Sequence, residues 1–255
     1  MCVSTVRDVD PTLVRLVRDV DLLCLDAGNT VVFLDHERLA RACGREGFAT
    51  TAETLVKAEG QMKQVMEQGD GLHVAWSQSH VPLAVSWGTV VGTMLGVAGL
   101  ERSRIGTVLD ALWSEHRTFN FWSLVVEDLV PSLDRLRALG VPVAVVSNSE
   151  GKLEEIFGAL GILGAFDLVI DSGAVGIEKP DPRIFQIALD HFRVAPARAL
   201  HLGDTFGPDV LGARAAGLRV ALVDPHGHLA NRHLDVPRVT GAPEVARAIA
   251  EARGG

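Results

Sequence analysis

The sequence predicts an α/β fold: a doubly wound parallel sheet carrying an inserted helical unit. Three observations carry this. From residue 141 onward, short apolar runs alternate with amphipathic helical segments, as in strands buried on both faces and covered by helices. A run of the same kind, Leu22-Leu23-Cys24-Leu25, stands near the start. Between them, residues 36–120 are helical in pattern.

The elements follow in order. The first apolar run is a strand that ends at Asp26. In the helical stretch, Ile105, Val108, Leu109, Leu112 and Trp113 make an i, i+3, i+4, i+7, i+8 stripe. Trp76, Trp87, Trp113 and Trp122 lie in or at the end of it and are expected to form its core. Residues 71–100 contain no Asp, Glu, Lys or Arg, and residues 81–100 are long enough to span a bilayer. Gly88, Gly92 and Gly96 have the spacing of a membrane helix contact. Yet Pro82, Ser86, Thr89 and Thr93 dilute the apolarity, and a span would divide the α/β core across a membrane. A buried helix with a closely packed neighbour is expected instead.

Strands are expected at 141–147, 166–170, 199–202 and 219–223. Helices are expected at 151–160, at 182–192 with Asp181 as N-cap and Pro182 in the first turn, and near 208–216. Residues 224–240 read as a loop and 243–252 as a terminal helix.

Composition excludes several classes. The 255 residues are 47% hydrophobic, enough for a sizeable core. Basic residues number 24 against 32 acidic, a net charge of −8 with no Lys/Arg run, which argues against a nucleic-acid binder. Cys2, Cys24 and Cys43 have neither metal-ligand spacing nor a disulfide pattern, so a cytoplasmic protein is expected. Arg7, Asp8, Asp10, Arg15, Arg18 and Asp19 leave no room for the apolar segment of a signal peptide. His36, His73, His80, His116 and His191 show no mutual metal-site spacing.

Open parallel sheets bind ligands at the carboxyl ends of their strands. Asp26 ends the first strand. Ser147 and Asn148 end the second, and Lys179 follows the third in "IEKPDP". Asp204 ends the fourth in "LHLGDTFGPD", with Asp209 five residues on. The set has a chemical logic. A carboxylate can attack phosphorus and form an aspartyl-phosphate, dividing one hard step into two. The phosphoryl group repels that carboxylate, so positive charge is needed: Lys179, and a Mg²⁺ held by Asp26 and Asp204. Ser147 and the amides around Asn148 can donate to phosphoryl oxygens.

On these motifs the sequence resembles the haloacid dehalogenase superfamily, in the branch with an α-helical cap. "LDAGNT" resembles its first motif, "VVSNS" its second, the lysine of "EKPDPRIF" its third and "HLGDTFGPDVLGARAAG" its fourth. The resemblance implies a core of residues 1–35 and 121–255 and a cap of 36–120. It makes Asp26 the nucleophile and a metal ligand, with the backbone carbonyl of Gly28 and the side chain of Asp204 as further ligands and Asp209 supporting them. Lys179 would be catalytic and would bind phosphate together with Thr30, Ser147 and Asn148. The implied cofactor is Mg²⁺. The implied substrate is a small phosphorylated metabolite, with neither nucleic acid nor membrane as partner, and the implied assembly a monomer or homodimer.

One position departs from the family. Its phosphatases carry a second aspartate two residues after the nucleophile, which protonates the leaving group and then activates water. Here that residue is Gly28, and the adjacent Asn29 cannot serve as an acid. Three readings stay open. A phosphatase could use Asp35, His36 or Glu37, where the chain enters the helical stretch, or a substrate whose leaving group needs no proton. A carbon–halogen hydrolase would need no acid, although "GDTFGPD" has the form of a metal-binding motif that such dehalogenases do without. A binding protein on the same scaffold is the third.

Overall fold

The computed structural model describes residues 11–254, so Cys2, Arg7, Asp8 and Asp10 lie outside the described residues. Among the described residues eight strands follow one another: β1 (Leu22–Leu25), β2 (Phe33–Leu34), β3 (Trp122–Leu124), β4 (Val143–Ser147), β5 (Leu168–Asp171), β6 (Ala199–Gly203), β7 (Arg219–Val223) and β8 (Arg238–Val239). Six of them form a parallel sheet in the order β5-β4-β1-β6-β7-β8. The other two, β2 and β3, pair as an antiparallel ribbon.

Side-chain alternation divides the sheet strands between two cores. Leu23, Leu25, Val143, Val145, Leu200 and Leu202 face one layer; Leu22, Cys24, Ala144, Val146, Val220 and Leu222 face the other. The first layer is covered by α1 (Pro11–Val17) and three later helices described below. Because β1 sits in the middle of the sheet, and the chain leaves it toward β4 but returns on its other side as β6, a crevice opens at its carboxyl end.

Between β2 and β3 the chain forms α2 (His36–Arg45), α3 (Ala52–Glu67), α4 (Pro82–Val97) and α5 (Arg102–Thr118), which share a separate apolar cluster. The expected stripe on α5 is buried there through Ile105, Val108, Leu109 and Leu112. The glycines of α4 serve packing: a side chain at Gly92 would touch Ile105 and Leu109 of α5, and one at Gly88 would collide with Trp76. Among the described residues no helix is long and apolar enough to cross a membrane. Trp76, Trp87 and Trp113 pack together, with ring centroids 5.0–5.7 Å apart. Trp122 departs from the expectation. It lies on the ribbon, half-buried, and packs against both the helical cluster and one core of the sheet.

After β3 come α6 (Leu129–Ala138), α7 (Leu153–Ala159), α8 (Ser172–Val175), α9 (Arg183–Phe192), α10 (Gly212–Ala215) and α11 (Ala242–Ala252). α6, α7 and α11 lie with α1 on one face, and α9 and α10 on the other. Boundaries shift from those expected by a residue or two. The strand expected from 141 begins at Val143, because Pro142 has no N–H to give the ladder and offers only its carbonyl, to Leu23. The helix expected at 208–216 is a wide turn over Phe206–Leu211 followed by α10. The stretch 224–240 is mostly loop as expected, but holds β8, a sixth sheet strand too short to leave a periodic signal.

Candidate active site

Asp26 stands one residue beyond β1, where its N–H donates to the Leu202 carbonyl of β6 at 2.8 Å. The chain then wraps tightly around the Ala27 carbonyl, which accepts from Val31 and Val32, both at 2.9 Å. The wrap puts Asn29 in the left-handed region at φ 53°, a conformation asparagine tolerates. Gly28 does not adopt it.

Strand ends bring the expected residues together. Lys179 Nζ donates to Asp26 Oδ1 and to Asp209 Oδ1, each at 2.6 Å, with all three side chains buried. Asp209 is held on every side: His201 Nε2 lies 3.0 Å from Oδ1, and the Thr205 N–H donates to Oδ2 at 3.0 Å. Gly203 makes room for it, since a β-carbon there would fall 2.2 Å from Asp209 Cγ. That is the physical reason for glycine in "LHLGD".

Burial pushes the Asp26 carboxyl up to about 6; the neighbouring charges of Asp209 and Asp204 push the same way, against Lys179. Burial would also raise Asp209, but the Lys179 charge and the His201 hydrogen bond overcome it and hold that carboxyl far below its ordinary range. Burial alone drives the Cys24 thiol up to about 12, so this neighbour of Asp26 is no nucleophile.

The other expected residues are placed as follows. Ser147 is buried at the end of β4. The side-chain amide of Asn148 is occupied: it donates to the Lys179 carbonyl at 2.9 Å and accepts the Lys179 N–H at 2.7 Å. It therefore fixes the main chain of the lysine. Thr30 is fully buried with its hydroxyl unpartnered among the described residues. It lines a cavity of about 350 Å³ shared with Phe33, Asp128, Glu244 and Arg247, not with Asp26 or Lys179. Of the three substitutes for the second acid, Asp35 caps α2 through the Arg38 N–H and Glu37 is exposed beside Arg41. Only His36 is drawn inward, to Glu59 Oε2 at 2.8 Å.

Further contacts were not anticipated. On α3, Glu59 Oε1 accepts from Asn29 Nδ2 at 2.5 Å, and the same amide donates to Asp204 Oδ2 at 3.0 Å. Lys63, one turn on, places Nζ 2.7 Å from Asp204 Oδ2. Gly60 lets α3 press onto the loop after β7, because a β-carbon there would meet the His228 ring at 2.7 Å. A β-carbon at Gly28 would face Trp122 Nε1 at 3.5 Å. The apolar stripes of the insertion reveal which helix faces are buried, but not which polar residue meets Asn29 and Asp204. No sequence signal marked Glu59, Lys63 or His228, and none placed Trp122 beside Gly28.

Oxygens of Asp26, Asp204 and Asp209 lie within 4.8 Å of one another. With Glu59 they are four buried carboxylates facing the ammoniums of Lys179 and Lys63. The excess negative charge and the all-oxygen donor set fit a divalent cation such as Mg²⁺. Asp209 already accepts from Lys179, His201 and Thr205, so of the three aspartates Asp26 and Asp204 would hold it.

A family profile described as haloacid dehalogenase-like hydrolase matches residues 20–217. The chain is 39% identical to haloacid dehalogenase-like hydrolase domain-containing protein 3 of Mus musculus over 138 residues, which span 54% of this chain and 55% of that one. It is 32% identical to a phosphoserine phosphatase of Thermus thermophilus over 205 residues, covering 74% and 80% of the two chains. The fold is shared with a magnesium-bound crystal form of the hydrolase YfnB from Bacillus subtilis at a TM-score of 0.63 and 16% identity, over 90% of this chain and 98% of that one.

Proposed function

Because the chain belongs to the haloacid dehalogenase-like hydrolases, we propose that it is a Mg²⁺-dependent phosphohydrolase for a small phosphorylated metabolite, with Asp26 as nucleophile. The observation that carries this reading is the Lys179 ammonium held between Asp26 and Asp209. A buried cation aimed at a nucleophilic carboxylate is what an incoming phosphoryl dianion requires. The similarity to a phosphoserine phosphatase agrees with it.

One Asp26 oxygen attacks phosphorus; the new O–P bond forms as the ester P–O bond breaks and the leaving oxygen keeps the electron pair. Lys179 offsets the charge of the transferred group, while Ser147 and the main-chain N–H groups after it donate to its oxygens. A bound Mg²⁺ would supply the remaining charge neutralisation at Asp26 and Asp204. Water then cleaves the aspartyl-phosphate, releasing phosphate and regenerating Asp26. His36 and Glu59, linked to Asn29 beside Gly28, are the groups available to move the protons that Gly28 cannot. The helical insertion, residues 36–120, acts as a cap that excludes water. A cytoplasmic setting agrees with the free thiols of Cys24 and Cys43.

The test is turnover of p-nitrophenyl phosphate by the wild type and Asp26→Asn, with Mg²⁺ and with EDTA, beside halide release from 2-haloacids. Activity confined to the wild type with Mg²⁺ supports the reading. Full activity in EDTA, or halide release instead of phosphate release, refutes it.

A further inference from the structure

Lys63 is a buried charge that the mechanism above leaves without a task. Its side chain is 11% exposed, and it reaches the site from α3 of the insertion, not from a strand end. An ammonium this far from water must keep an anionic partner, because desolvating it unpaired is prohibitively costly. Two carboxylates are near: Asp204 Oδ2 at 2.7 Å and Glu59 Oε1 at 4.0 Å. Asn29 donates to both carboxylates, but Glu59 also meets His36 at 2.8 Å and is the farther of the two from Lys63. Asp204 is therefore the working partner.

That partner is also a ligand for the divalent cation. A dication on Asp204 and an ammonium on the same carboxylate repel at short range. Lys63 then has to exchange Asp204 for another anion without leaving a closed, desolvated space. Carboxylate oxygens of Asp204 and Asp26 lie within 4.8 Å of each other, so a phosphoryl group at Asp26 comes within the sweep of the lysine side chain.

We propose that Lys63 is a substrate-binding residue: a second phosphate-binding cation, carried by the insertion, that pairs with Asp204 in the cation-free protein and with the phosphoryl oxygens once cation and substrate are bound. The inference rests on the phosphohydrolase reading. The close seat of Gly60 against His228 fixes the helix at the height from which Lys63 reaches.

The experiment is calorimetric and needs no turnover. Lys63→Met retains the length and apolar stem and removes the charge. Without phosphate, this variant is expected to bind Mn²⁺ several-fold more tightly than the wild type, since a competitor for Asp204 is gone. With saturating Mg²⁺, it is expected to bind inorganic phosphate about tenfold more weakly, the scale of one lost charge-assisted hydrogen bond, and Lys63→Arg is expected to recover part of that loss. Unchanged or weaker Mn²⁺ binding, or phosphate binding equal to the wild type, overturns the proposal. A wild type that fails to hydrolyse p-nitrophenyl phosphate refutes the phosphohydrolase reading separately, because both affinities are scored on the intact protein without catalysis.

Discussion

Trp122 stands over Gly28: the indole Nε1 lies 3.5 Å from where a β-carbon of residue 28 would be. The space of the missing acid is thus bordered by a hydrogen-bond donor that cannot transfer a proton at neutral pH. Gly28 is not in the left-handed region, so an aspartate there is free of backbone strain. At 3.5 Å the added carbon makes an ordinary contact. The obstacle is electrostatic: an indole N–H beside the new carboxylate favours its ionised form, so less of it carries the proton a general acid must give.

Gly28→Asp alone is therefore expected to raise the rate on an alkyl phosphate only modestly. Gly28→Asp/Trp122→Phe, which removes the donor and keeps an aromatic ring, is expected to gain about tenfold or more, toward the range of a positioned general acid. Aryl phosphates, whose leaving groups need no proton, are expected to gain less. Steady-state kinetics on one alkyl and one aryl ester decide it. A single variant as fast as the double would show that the indole does not hold the carboxylate.

Gly203→Ala is expected to be severe. Its β-carbon would lie 2.2 Å from Asp209 Cγ, so the carboxylate must move and Lys179 loses one of its two partners. Disrupting a buried charge pair costs about 3–5 kcal/mol, measurable by urea unfolding. A variant as stable as the wild type would mean that Asp209 is not anchored as described.

Gly60→Ala separates helix propensity from packing. Alanine favours the helix by about 1 kcal/mol, but here it would press on the His228 ring at 2.7 Å. Lifting α3 by roughly 1 Å is expected to lower kcat/KM by as much as about 10²-fold, with little loss of melting temperature. His228→Ala in the same protein is expected to restore activity, because it removes the atoms in conflict. A fully active single variant would show that the helix seat tolerates the change.

Asp21 supplies a pH test of the core. It accepts from Arg198 and, at 2.6 Å, from Arg253 just past α11. The Arg198 hydrogen bond, with that of Arg253, holds its carboxyl below the ordinary range. A depressed folded-state value means the stabilisation is complete above the unfolded value of about 3.9 and disappears as pH falls through the folded one. Asp21→Asn is expected to melt below the wild type at pH 7, with the gap closing in strong acid. A pH-independent gap would assign the loss to packing.

The sequence by itself determined five of the six strands of the sheet, the order of its motifs and the convergence of Asp26, Lys179, Asp204 and Asp209. Continuous apolar runs dictate buried parallel strands, and such strands deliver the residues at their carboxyl ends to one edge. That logic is local, so it survives without coordinates. Only the tertiary structure decided what faces Asp204 and Asn29 from the insertion. Glu59 and Lys63 are ordinary polar residues on α3, and His36 became distinct from Asp35 and Glu37 only by pairing with Glu59. It likewise decided that Trp122 borders Gly28 and that the Asn148 side chain serves Lys179. The physical reason is that apolar periodicity fixes which helix face is buried within the insertion, while the rigid-body seat of four helices on a sheet depends on contacts between residues far apart in the chain. Such contacts leave no periodic trace in either partner's sequence.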